Sequence, residues 1–102
     1  MTRVFRVTIK EAAIEELDRI YQLAAKDKPA SAKKFITKIK HKITSLSRFP
    51  KRGSTCKLPA VAQIEIRFLV VENYMIFYTI KERTVDILHI TGPGKDWMDL
   101  LM

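Results

Sequence analysis

Ten lysines and arginines (Lys28, Lys33, Lys34, Lys38, Lys40, Lys42, Arg48, Lys51, Arg52 and Lys57) lie between Asp27 and Glu65 with no acidic residue among them. The remainder of the chain holds 9 basic residues against all 11 acidic ones, so the formal charge of +8 comes from one connected segment. Cations gathered in this way raise a positive potential that draws in phosphate or acidic protein at long range. A solvated helix face is the plainer reading, but an acid-free run leaves its charges repelling one another unless something binds them. Other chemistry is sparse. His41 and His89 stand alone and Cys56 is the single cysteine, so there is neither an internal disulfide nor the Cys/His spacing of a metal site, and no metal or cofactor is expected. His89, within the later apolar runs, has an unperturbed pKa near neutrality and is the natural candidate for proton transfer, although a lone strand histidine is more often packed or hydrogen-bonded.

The elements that must position these groups follow from periodicity. The 102 residues are nearly half hydrophobic and poor in Gly and Pro, which predicts one folded domain over 1–102. Residues 4–9 are short and β-branched and read as a strand. Ala13, Ile14, Leu17, Ile20, Tyr21 and Ala24 then recur at helical steps, with Glu15, Glu16, Asp18 and Arg19 on the other side. Thr8 and Glu11 have capping-box spacing, though Lys10 or Glu11 would serve equally as the start. Pro29 opens a second helix to about Arg48, with Ala32, Phe35, Ile36, Ile39, Ile43 and Leu46 on one stripe. The two should form a hairpin. Residues 64–71, 74–80 and 85–91 read as the strands of an antiparallel meander, broken by Gly92-Pro93-Gly94 and followed by a short terminal helix or docked tail anchored by Trp97, Leu100 and Leu101. No apolar run approaches the ~18 residues that span a bilayer and no long apolar leader opens the chain, so a reduced, cytoplasmic location is expected.

This order, with Ala32-x-x-Phe35-x-x-x-Ile39-x-x-x-Ile43-x-x-Leu46-x-x-x-Pro50-x-x-Gly53 and Ile66-Arg67-x-x-x-x-x-x-Tyr74-x-Ile76-Phe77-Tyr78, resembles the ParE/RelE superfamily of type II toxin–antitoxin toxins over nearly the whole chain. The resemblance implies a small α+β fold: an N-terminal strand and a helical hairpin packed on a three-stranded antiparallel sheet. It also implies a partner, a cognate antitoxin with a largely acidic segment that is disordered when free. Two activities are implied. ParE-like members poison DNA gyrase and need no catalytic constellation, whereas RelE-like members cut mRNA in the ribosome.

Strand geometry helps to separate the two. A two-residue turn at Glu72-Asn73 pairs Val71 with Tyr74 and Arg67 with Tyr78. Arg67, Leu69, Val71, Tyr74, Ile76 and Tyr78 then share one face, and Ile66, Phe68, Val70, Met75, Phe77 and Thr79 the other. Aligned on Tyr74, the strand cations of RelE-like ribonucleases fall at Ile66, Phe68 and Met75, none of which holds a phosphate or moves a proton. RNA cleavage at the 2′-hydroxyl needs a base, an acid and a stabiliser of the phosphorane; the candidates left are His89, Lys95, Arg67, Tyr78 and Tyr74. Lys95 stands after the glycines where family members often carry arginine. Arg67 matches the family's strand arginine, but a structural pairing suits its neighbours better, and the two tyrosines read as core aromatics.

A ParE-like activity, gyrase inhibition, is therefore favoured over a ribosome-dependent endonuclease, and a general nucleic-acid-binding domain ranks last, because Phe35 and Phe49 read as apolar positions rather than stacking platforms. One sheet face must cover the helices. The other, with Ile66, Phe68, Met75 and Phe77, would be a large apolar patch for the antitoxin to cover while its carboxylates meet Lys34 and Lys38, or else a homodimer surface. Lys95, Asp96 and Trp97 are the candidates for target contact, with Trp97 equally suited to packing.

Overall fold

The computed structural model describes residues 4–56 and 65–92. Among them, strand β1 (Arg6–Ile9) leads into helices α1 (Glu11–Asp27) and α2 (Pro29–Ser45), followed by strands β2 (Ser54–Cys56), β3 (Ile66–Val71), β4 (Tyr74–Lys81) and β5 (Thr84–Thr91). The architecture is α+β, two helices packed on one sheet. The expected meander is larger than three strands: the order is β1-β5-β4-β3-β2, with β1 parallel to β5 and every other pair antiparallel. Strand β2 carries no apolar alternation, only Ser54, Thr55 and Cys56, and is a strand because it pairs along β3.

Local chemistry explains most boundaries. The Thr8–Glu11 capping box is not used, because Thr8 belongs to β1; Lys10 is the N-cap, without a side-chain cap. Lys28 alone separates the helices: its N–H donates to Ala24 O and its carbonyl accepts from Ala32 N. Pro29 then takes the first helical position, where a missing N–H costs nothing. Helix α2 stops at Ser45 rather than Arg48, and residues 46–49 continue as turns whose N–H groups reach back to Ile43, Thr44 and Ser45.

The core lies between the hairpin and one face of the sheet. It gathers Ala13, Ile39, Ile43 and Leu46 with Leu69, Val71, Ile76, Tyr78, Val85, Ile87 and Ile90. Ile14, expected inside, is 54% exposed. The β3–β4 register is the expected one, with Val71 opposite Tyr74 and Arg67 opposite Tyr78. Glu72 and Glu82, which open the two hairpin turns, adopt φ of 56° and 55°, a left-handed conformation in which glycine or asparagine is at ease and glutamate is not.

The irregularity in the sheet lies in β5. Phe77 pairs with His89 and Tyr78 with Ile87, which leaves Leu88 as the extra residue of a bulge. Unbroken alternation would set His89 opposite Ile76, inside the core, and Ile90 opposite Met75, outside it. The bulge reverses both: Ile90 pairs with Ile76 and is 2% exposed.

The outer face is less open than expected. Val70 is 56% exposed, and Phe68 and Met75 are half-buried, but Ile66 (3%) and Phe77 (0%) are closed off. Both sit inside a five-stranded sheet with neighbours on either side. Ile66 lies between Cys56 and Thr79. Phe77 lies between Phe68 and His89, its ring 6.0 Å from that of Phe68 at 46°. The expected terminal helix or tail falls outside the described residues.

Candidate functional site

Two of the chemical candidates on the strands are committed to holding a turn. The Tyr78 hydroxyl donates to Pro50 O at 2.7 Å and accepts from Gly53 N at 3.0 Å. Burial is the main cause of a pKa above the ordinary 10.0, opposed by the Gly53 hydrogen bond and by Arg67 and Arg52. Beside it, Arg67 Nη1 donates to Gly53 O at 2.8 Å and Lys51 O at 3.3 Å, and Nη2 pairs with Glu65. Arg67 Nε is buried without a hydrogen-bond partner among the described residues. A β-carbon at Gly53 would lie 2.5 Å from the Tyr78 hydroxyl and 2.6 Å from Phe68 O, so this position admits only glycine without displacement. Neither Tyr78 nor Arg67 is placed to give a proton or a charge to a ligand. Tyr74 is likewise packed, its ring 5.2 Å from Phe35 and in the space a side chain at Gly92 would need.

His89 has a partner that the helical pattern had placed on the wrong side. Glu16 lies one turn from Ala13 and from Ile20, on the inward stripe, and its side chain is 14% exposed. Glu16 Oε1 accepts the Ile90 N–H at 2.9 Å and lies 3.2 Å from His89 Nδ1. β1 runs beside β5 only as far as the Ile9–Ile87 pair; beyond it, Glu16 takes the place of a neighbouring strand and satisfies the next edge amide. His89 is thereby held at its Nδ1 and is 21% exposed. The 3- and 4-residue spacings Ala13–Glu16 and Glu16–Ile20 are the signal that places Glu16 on the buried face.

Of the residues expected to meet an antitoxin, Lys38 is exposed and makes a 3.4 Å pair with Glu72. Both partners are 57% exposed, so this pair is worth little and is easily exchanged for another carboxylate. Lys28, Lys34 and Lys38 rim a cleft of about 540 Å³ with an apolar floor of Ile20, Ala24, Ala32, Phe35 and Tyr74; Asp27 and Glu72 stand at its edge. A second groove, about 630 Å³, runs along the hairpin and is lined by Ile14, Leu17, Tyr21 and Ile36, with Lys33 and Lys40 beside it. Sequence periodicity missed both grooves, because each is lined by residues from several elements that only the fold brings together. Lys95, Asp96 and Trp97 lie outside the described residues. Among the described residues no cluster of His, Cys, Asp and Glu is suited to a metal ion, and no helix is long and apolar enough to cross a membrane.

Comparison with known proteins agrees with this geometry. A family model described as the ParE toxin of the type II toxin–antitoxin system parDE matches residues 7–97. Among solved structures, the chain is similar to one from the chromosomal ParDE toxin–antitoxin system of P. aeruginosa, with a TM-score of 0.72 and 20% identity over 88% of this chain and 97% of that one. It is also similar to one from the RelBE2 toxin–antitoxin complex of Mycobacterium tuberculosis, with a TM-score of 0.62 and 18% identity over 93% and 98%. At these identities the two structures speak to fold. Among curated proteins, none matches the chain in sequence.

Proposed function

The chain belongs to the ParE toxin family of type II toxin–antitoxin systems, and from that premise we propose that it acts by binding a protein target, DNA gyrase being the leading candidate, rather than by cutting RNA. One observation carries this reading: two of the strand groups that could serve phosphodiester chemistry, Tyr78 and Arg67, are already engaged in holding the 50–53 turn. The positions at which a RelE-like nuclease carries strand cations are Ile66, Phe68 and Met75.

A cognate antitoxin, acidic and disordered when free, neutralises the toxin. Its carboxylates meet Lys34 and Lys38, its apolar side chains enter the cleft lined by Phe35 and Tyr74, and a following segment covers Val70, Phe68 and Met75. Apolar floor and cationic rim together suit an amphipathic segment that folds as it binds. Ile66 and Phe77, on the same sheet face, are closed off and are not part of that contact.

Purified protein incubated with gyrase and supercoiled DNA tests the target. Accumulating cleaved DNA–gyrase complexes support the reading. The alternative is favoured by one feature: a histidine oriented by a carboxylate is the arrangement an acid–base residue would have. Ribosome-dependent mRNA cuts that vanish in His89→Ala would establish that alternative and overturn gyrase inhibition as the activity.

A further inference from the structure

Phe49 is 63% exposed. The other described phenylalanines, Phe5, Phe35, Phe68 and Phe77, are buried or half-buried. Phe49 stands in the segment Arg48-Phe49-Pro50-Lys51-Arg52, whose three cations are all exposed, and no acid precedes it back to Asp27 or follows it before Glu65, which is paired with Arg67. The backbone that presents the ring is fixed on every side. Phe49 N–H donates to Ser45 O and its carbonyl accepts from Arg52 N. Pro50 O, Lys51 O and Gly53 are held by Tyr78 and Arg67, and Arg52 Nη1 donates to Ser45 Oγ at 2.7 Å.

We infer that this turn is a binding site for a single nucleic-acid strand, with a base stacked on the Phe49 ring and neighbouring phosphates on Arg48, Lys51 and Arg52. A flat ring offers every base a π-face, and arginine suits phosphate geometry. An amphipathic acidic segment is served by several apolar side chains in a cleft, as at Phe35 and Tyr74, whereas this turn offers one projecting ring among cations. The rigid backbone lowers the ordering cost of binding. The site lies apart from the sheet positions compared with a nuclease, and it does not rest on gyrase being the target.

Fluorescence anisotropy of labelled oligothymidylate and oligouridylate with the full chain tests it. Phe49→Ala and Phe49→Leu should each weaken binding roughly tenfold, the second keeping the bulk without the ring. Arg52→Gln should shallow the slope of log affinity against log salt by about 0.7. Phe49 is exposed, so the melting temperatures of its two variants should match the parent's; Arg52→Gln gives up the bond to Ser45 Oγ, so its salt slope is read on protein shown to be folded by circular dichroism. Equal binding of the two oligomers supports a stacked strand read without its sugar, and tighter binding of oligouridylate supports RNA as the strand, through its 2′-hydroxyl. Undiminished affinity in both Phe49 variants overturns the site. So does equal competition by polyglutamate, which makes the occupant an acidic protein.

Discussion

Tyr78 shows how a residue that looks chemical can be wholly structural. Its hydroxyl bridges Pro50 O and Gly53 N, which have no other hydrogen-bond partner among the described residues and would lose this one in a phenylalanine variant. Tyr78→Phe should therefore lower stability by about 1–3 kcal/mol in chemical denaturation. The raised pKa fixes the sign of the pH effect: the folded state holds the phenolic proton more tightly than the unfolded state, so this contribution is complete below 10.0 and is lost as pH rises above it. The gap between parent and variant should narrow over that alkaline range. The Arg67–Tyr78 pairing was legible from a two-residue turn, because register propagates two residues at a time. The bonds to Gly53 were not, since 25 residues separate the partners and no local pattern reports them. Phe49 misled in the opposite direction: it has the spacing of a core residue but falls in the turns after α2, where helical spacing no longer decides which way a side chain points.

Elements were legible where their period was strong. Both helices and strands β3, β4 and β5 follow from apolar recurrence. β2 does not, being three polar or small residues paired by tertiary context. The parallel partnership of β1 and β5 is also absent from the pattern, and with it the reason Glu16 matters: the carboxylate continues the edge of β5 where β1 ends. Glu16→Ala should speed hydrogen exchange of the Ile90 amide and leave that of Val85, deep in the paired region, nearly unchanged. Glu16→Gln, whose side-chain carbonyl can still accept that N–H, should keep most of the Ile90 protection. Equal exchange at Ile90 in parent and Ala variant would show that the carboxylate does not guard this edge. The bulge at Leu88 explains why simple alternation along β5 fails to place His89: two residues face one across the ladder, and the inward set changes from odd to even numbers.

At the scale of the whole molecule, charge and surface were read well and the depth of the surface less so. The acid-free run does form an exposed cationic helix face, while the outer sheet offers Val70 more than Ile66 or Phe77. Val70→Asp should weaken antitoxin binding about tenfold, by isothermal titration, with the melting temperature unchanged; unaltered affinity would move the contact off this face. The strand order carries a consequence for how the toxin comes into being. Arg6–Ile9, which precede both helices, find their seat only along Thr84–Thr91, the last of the described strands. A nascent polypeptide can close its helical hairpin early, but the sheet has no place for its opening strand until residue 91 has been synthesised. Synthesis halted before that point thus leaves Arg6–Ile9 without a partner, because the strand they must lie against has yet to emerge.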